Sequence, residues 1–251
     1  MGVIVERAED ATTVRIDHGR VNALDLELCR EITAIFEDLS EEVDGGGIVL
    51  TGRGSVFSGG VDVTRILAED GGYAFAFLQE LSTCLLAVTR CPRPVVAAVN
   101  GHAIAGGAVL ARAADVVIAA GPGTIGLLEL AVGVPFPVAA LEILRVRLDQ
   151  QRLVSLVLAA AALPFSESEP GLIDRVVADG ELEQSAVGEA RRLGRVPPMT
   201  FALTKRLLLA PLEVTLSRAS EKVDEQVAEA WDSTPVRRAI RASVEQRSPK
   251  G

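Results

Sequence analysis

The chain has 251 residues, 49% of them hydrophobic, and its 34 acidic against 25 basic side chains leave a net charge of −9. That apolar fraction excludes a disordered protein, and a chain of this length can bury roughly 70–75% of its unfolded surface. The acidic balance, with a pI near 4.9, excludes a nucleic-acid binder, because neutralising phosphates needs a concentrated positive face. Only 7 Phe, 1 Trp and 1 Tyr are present, so the core must be built mainly from Ala, Val, Leu and Ile.

Cys29, Cys84 and Cys91 are odd in number and lack a CxxC spacing, so they read as small core residues of a reducing compartment. The first ten residues hold acids and no long apolar run, unlike a signal peptide. Apolar stretches such as Val95–Val99 and Leu153–Leu163 fall short of the roughly 20 residues that span a bilayer. These features predict a soluble, cytoplasmic protein without membrane insertion.

In chain order, Val3–Arg7 and Thr12–Ile16 are β-branched runs around a short turn and predict a hairpin. Asp25 is placed to cap a helix running to about Leu39, with Leu28, Ile32, Ile35 and Leu39 at helical spacing. Gly45-Gly46-Gly47 closes that unit, and Ile48–Thr51 reads as a buried strand. One long helical pattern fills about Thr64–Arg90. After the break at Cys91-Pro92-Arg93-Pro94 come the strand Val95–Asn100, a short helix Gly106–Ala113 and the strand Asp115–Ala119. Strands alternating with helices in this way imply parallel pairing and an α/β core. Beyond Pro135 the pattern is helical nearly to the end: about Val138–Arg145, Asp149–Ala161, Leu182–Leu193, Pro198–Leu209, Leu212–Trp231 and Pro235–Gln246. Pro197-Pro198 marks a division between residues 1–195, an α/β body, and residues 196–251, a helical C-terminal region.

Gly121-Pro122-Gly123-Thr124-Ile125-Gly126 fits a GxGxxG dinucleotide pattern, but that pattern needs a helix opening at its third glycine. Gly133 and Pro135 interrupt the segment that follows, so these are read as turn residues. No GxSxG nucleophile elbow is present, and His18 and His102 have neither a nucleophile partner nor spaced acids for a metal. More informative are two glycine-rich turns after buried strands: Phe57-Ser58-Gly59-Gly60-Val61-Asp62 and Asn100-Gly101-His102-Ala103-Ile104-Ala105-Gly106-Gly107. Glycines let a ligand approach the backbone, and two converging N–H groups make an oxyanion hole. Spacing alone favours ordinary tight turns.

Four stretches in order resemble the crotonase, or enoyl-CoA hydratase/isomerase, superfamily: Val21–Asp25, Phe57–Asp62, Pro94–Gly107, and Ile125–Glu129 with Gly133 beyond it. The resemblance spans about residues 3–180. It implies a ββα spiral of the kind also found in ClpP, with a helical C-terminal trimerisation region. It further implies an unsaturated acyl-CoA thioester as substrate, assembly as a homotrimer or dimer of trimers, and no metal or separate cofactor, coenzyme A being part of the substrate. The family's thioester-oxygen donors fall on the backbone N–H groups of Val61 and Gly106, and its catalytic carboxylate on Glu129. The apolar neighbours Leu127, Leu128, Leu130, Ala131 and Val132 would strip water from Glu129 and raise its pKa. Substrate or CoA contacts map to Arg20, Ala23, Ser58, Gly60, Asp62, Arg65, Gly107, Val109 and Pro137. The C-terminal Arg237, Arg238, Arg241 and Arg247 are further cations within possible reach of a ligand.

Two departures point to one branch of the chemistry. Family hydratases carry a second glutamate where this chain has Val109, and a glycine N–H near the water site where it has Pro137, which has no N–H. Both changes remove water-binding groups. The pattern is similar to mitochondrial-type Δ3,Δ2-enoyl-CoA isomerases, which need one acid for a 1,3-proton shift. Hydration, and acyl-CoA binding without catalysis, are the alternatives.

Overall fold

The computed structural model describes residues 2–42, 46–69, 72–168, 170–218 and 221–247. Strands β1 (Val3–Arg7) and β2 (Ala11–Ile16) form the expected antiparallel hairpin, with Val3 opposite Ile16. Helix α1 (Leu26–Glu41) starts where the Asp25 carboxylate accepts the Leu28 N–H at 2.8 Å, and it buries Leu28, Cys29, Ile32, Phe36 and Leu39. Strand β3 (Gly47–Gly52) is buried along its whole length, as a central parallel strand should be. Gly45 of the preceding glycine run lies outside the described residues.

From here the chain repeats one device. A long strand of the first sheet is followed by a three-residue strand of a second sheet, and then by helix. Thus β3 leads to β4 (Val56–Ser58) and to helices α2 (Val63–Ala68) and α3 (Tyr73–Arg90). The strand β5 (Val95–Val99) leads to β6 (His102–Ile104) and α4 (Gly106–Ala113). The third unit runs from β7 (Val116–Ala120) through β8 (Thr124–Gly126) to the one-turn α5 (Glu129–Val132) and to α6 (Val138–Arg147). Such ββα units form the turns of a crotonase spiral. After α7 (Gln150–Ala159), β9 (Ala162–Pro164) and β10 (Arg175–Val177) each complete one sheet. The first sheet has the order β1-β2-β3-β5-β7-β10 and the second β4-β6-β8-β9. Strands β4, β6 and β8 run parallel, so their C-terminal ends lie side by side.

Helix α8 (Leu182–Gly194) covers the outer face of the first sheet, where Ala186 and Ala190 pack on Val49, Val96 and Ala98. The remaining helices are α9 (Pro198–Leu208), α10 (Ala210–Arg218), α11 (Glu221–Asp232) and α12 (Thr234–Arg247). Leu212, Ala228, Trp231 and Ile240 from this tail join the main core. Cys29, Cys84 and Cys91 are free and buried. Among the described residues no helix is long and apolar enough to cross a membrane.

Three expectations need correction. The single helix expected over 64–90 is two, because Gly72 has a φ of +102°, a conformation that no helical residue adopts. The pattern over 212–231 is likewise two helices, α10 and α11. The segment beyond Pro135 is not all helical, since β9 and β10 lie within it. Three-residue strands are too short to leave a periodic signature.

Candidate active site

The parallel ends of β4, β6 and β8 feed three turns into one cavity of about 40 Å3, which Val61, Gly106 and Glu129 all line. The rest of its wall is Leu81 and Leu85 from α3, Val109 from α4, Pro137 just before α6 and Ala140 within it, Trp231 from α11, and apolar or main-chain groups between them.

Asn22 builds the first turn. Its φ of +50° lies in the left-handed region, which Asn tolerates better than most side chains. Its buried carboxamide donates to the Val56 carbonyl at 2.8 Å and accepts the His18 N–H at 3.0 Å. Leu24 then pairs with the turn: its N–H donates to Gly60 O at 2.7 Å, and its carbonyl accepts the Asp62 N–H at 2.9 Å. In a parallel bridge the residue between those partners, Val61, directs its own N–H to the opposite side. Among the described residues that N–H has no acceptor. Gly60 is required at its place, because its φ is +83° and a Cβ there would lie 2.4 Å from the Ile104 carbonyl.

The second turn holds a strained residue. Ala105 has φ +49° and ψ −122°, an arrangement that costs a non-glycine residue about 1–3 kcal/mol. It is held by its N–H donating to Gly126 O at 2.8 Å and its carbonyl accepting the Ala108 N–H at 2.8 Å. Gly106 follows as the first residue of α4, where a backbone N–H has no partner within the helix. It too is without an acceptor among the described residues. A Cβ built on Gly106 would lie 3.9 Å from the Val61 nitrogen, so the two free amides are neighbours.

Glu129 opens α5 and is 7% exposed. Its Oε2 has no hydrogen-bond partner among the described residues. Burial pushes its pKa up to about 7, with its own backbone N–H opposing the shift. The residue fits the expectation, but part of the anticipated cause does not. Leu130 is 45% exposed and Ala131 is exposed as well, because a one-turn helix sends successive side chains in different directions. The apolar wall comes from Val132 and Val134 close by, and from Leu81, Leu85, Val109 and Trp231, distant in sequence.

The expected contact residues divide into two groups. Val109 and Pro137 line the cavity with Val61, Gly106 and Glu129; Arg20, Ala23, Ser58, Gly60, Asp62, Arg65 and Gly107 do not. Ser58 is a strut, its hydroxyl donating to Asn22 O at 2.8 Å and accepting the Gly60 N–H at 3.2 Å. Gly107 packs so closely on it that a Cβ would lie 2.5 Å from Ser58 O. Asp62 caps α2 by accepting the Arg65 N–H at 3.0 Å. The Arg65 guanidinium is engaged by Glu27 at 2.9 Å and Asp25 at 3.3 Å, and it lies over the Tyr73 ring at 5.3 Å. Ala23 is half-buried and Arg20 is exposed on the turn before Asn22. Arg237 binds the end of α2, donating to Ile66 O at 3.1 Å and Leu67 O at 2.9 Å. Arg238 and Arg241 are exposed, and the Arg247 side chain lies outside the described residues. His102 is exposed and hydrogen-bonded to Thr124 at 2.9 Å, away from the cavity. Gly126, the third glycine of the GxGxxG match, ends strand β8 instead of opening a helix.

Trp231, Leu81, Leu85 and Ala140 were not anticipated as cavity residues. Their apolar character marked them only as core, and nothing local ties α11 to residues about a hundred positions earlier.

The family profile for enoyl-CoA hydratase/isomerase matches residues 7–250. The chain belongs to this family, within the crotonase superfamily. A protein of Thermus thermophilus, named provisionally as an enoyl-CoA hydratase, is 31% identical over 258 aligned positions, covering 99% of each chain. A "Probable enoyl-CoA hydratase" of Rhodobacter capsulatus is 31% identical over 246 positions, covering 97% of this chain and 95% of its own. In fold, human mitochondrial Δ3,Δ2-enoyl-CoA isomerase superposes with a TM-score of 0.94 at 22% identity, covering 100% of both chains. Enoyl-CoA hydratase from Bacillus halodurans superposes with a TM-score of 0.87, also at 22% identity, over 96% of this chain and 100% of that one. Family membership thus brings acyl-CoA chemistry to a cavity that has two free amides and one unpaired acid.

Proposed function

We propose that this enzyme isomerises 3-enoyl-CoA to 2-enoyl-CoA, with Glu129 as its single proton carrier. The Glu129 carboxylate removes a proton from C2 of the acyl chain. Negative charge moves onto the thioester oxygen, which accepts hydrogen bonds from the Val61 and Gly106 N–H groups. The same carboxyl then delivers its proton to C4, and the double bond comes to rest between C2 and C3. Losing one such donor costs an enzyme about 3–4 kcal/mol of transition-state stabilisation. A pKa near 7 suits a group that must both take and return a proton at neutral pH.

One observation carries the choice over hydration. Among the described residues lining the cavity, Glu129 is the one ionisable side chain, and Val109 and Pro137 stand beside it. The Trp231 indole N–H is already bonded to Pro135 O at 3.0 Å. Adding water across a double bond needs a group to hold that water besides the acid, and the cavity wall offers none. Hydration is the second reading, favoured by the names of the 31%-identical relatives. Steady-state rates on a 3-enoyl-CoA and on crotonyl-CoA separate the two. Isomerisation should exceed hydration by at least about a hundredfold, and hydration at a rate typical of enzymes, roughly 1–1,000 per second, would overturn the assignment. Tight acyl-CoA binding with neither activity would mark a silent binder.

We further propose that Arg20, exposed and near the first turn, meets the CoA phosphates. We assign the cover of α9's outer side to further copies of the chain in a trimer or hexamer, as supported by the exposure of Met199, Leu203, Leu207 and Leu208. Sedimentation analysis of the full chain tests the assembly, and a monomer would overturn it.

A further inference from the structure

We infer that Trp231 limits this enzyme to short acyl chains by occupying the space that a longer chain would need. The inference rests on the acyl-CoA reading of the cavity. Trp231 is 2% exposed and comes from α11, whose position beside α3 brings the indole onto a wall shared with Leu81 and Leu85. The indole is fixed in place: its Nε1–H donates to the Pro135 carbonyl at 3.0 Å. Pro135 lies in the segment between α5, which carries Glu129, and α6, so the same bond ties the ring to the loop next to the acid's helix. What remains is about 40 Å3, room for about three water molecules. Apart from Glu129 and the main-chain groups the wall is aliphatic, and the one bulky, rigid side chain on it is this tryptophan.

Chain length should therefore be read differently by the wild type and by variants at this position. A methylene that finds an apolar wall adds about 0.8 kcal/mol, close to fourfold in affinity. A methylene that meets the indole adds nothing or is rejected. The test is isothermal titration of the full chain with butyryl-, hexanoyl-, octanoyl- and dodecanoyl-CoA, saturated thioesters that bind without reacting. Wild type should bind dodecanoyl-CoA at least about tenfold more weakly than hexanoyl-CoA. Trp231→Leu should reverse that order, while Trp231→Phe, which keeps most of the bulk and loses the hydrogen bond, should retain it. Trp231 is the chain's one tryptophan, so acyl-CoA should also shift the wild-type emission and CoA lacking an acyl group should not. Equal wild-type affinity across the series, or an unchanged order in Trp231→Leu, overturns the role of Trp231 and leaves the acyl-CoA reading standing. Failure of every thioester to bind more tightly than CoA overturns that reading as well. If Trp231→Leu does not fold, Trp231→Met takes its place, with the same reversal of order expected and an unchanged order overturning the role.

Discussion

Two carboxylates of this chain, one buried and one half-buried, have opposite surroundings. Glu129 faces an aliphatic cavity, and its Oε2 has no partner among the described residues. The Asp115 side chain, 11% exposed, receives the Val95 N–H at 2.9 Å, Lys205 Nζ at 2.7 Å and Arg147 at 3.0 Å. Asp115 therefore pins the start of β7 to β5, to the end of α6 and to α9. Burial by itself gives neither a catalyst nor a brace; the partners decide which. A carboxylate bonded on several sides holds its neighbours in place, whereas one deprived of both water and partners, like Glu129, keeps its proton up to near neutrality and can exchange it.

The contrast can be broken at either end. The largest effect should come from Glu129→Gln, which removes the proton carrier while keeping the shape. Turnover of a 3-enoyl-CoA should fall by roughly a thousandfold or more, with saturated acyl-CoA affinity changed only a few-fold. Near-normal turnover would defeat the assignment. Next, Asp115→Asn leaves the buried Lys205 and the half-buried Arg147 without their counter-charge and should cost about 3–5 kcal/mol in urea unfolding. A loss below about 1 kcal/mol would show that the cluster braces nothing.

The pH dependence tests the setting of Glu129 more finely. The Glu129 pKa is raised by folding from 4.5 to about 7, so the folded state takes up a proton across that interval. Its favourable contribution is complete below pH 4.5 and is lost as the pH rises through 7. At 1.36 kcal/mol per unit, the loss is on the order of 3 kcal/mol. Glu129→Gln should accordingly be more stable than wild type at pH 8, with the advantage vanishing towards pH 4.5, as urea unfolding at the two pH values would show. Wild-type kcat/KM should rise about tenfold per unit up to an inflection near 7, because the base must be ionised. A flat profile between pH 5 and 8 would contradict the dry setting of Glu129. The smallest effect is expected from Arg237→Ala, which frees the Ile66 and Leu67 carbonyls at the end of α2 and should lower stability by about 1–2 kcal/mol. A change in acyl-CoA affinity larger than that in stability would instead return Arg237 to the ligand.

Much of this was legible in the sequence, for local reasons. Buried β-branched runs, the Asp25 cap and the glycine turns locate the long strands, α1 and the three turns to within a few residues of where the structure has them. The order Val21–Asp25, Phe57–Asp62, Pro94–Gly107 and Ile125–Glu129 was enough for the family, and it drew attention to Glu129, which the structure buries in the cavity. Local sequence could not give the second sheet, because three-residue strands have no period, nor the break at Gly72 inside an unbroken helical pattern. It also placed Arg65 and Arg237 near a ligand, whereas tertiary contacts give both guanidiniums other partners.

The sequence by itself determined which groups could act: two glycine-rich turns able to expose N–H groups, and one acid among apolar residues. Tertiary structure alone decided that they meet. The free amides adjoin because parallel strands end side by side, and Glu129 is dry because α3 and α11, far along the chain, close over it. Backbone conformation follows from neighbouring residues, but desolvation depends on whatever the fold brings from elsewhere.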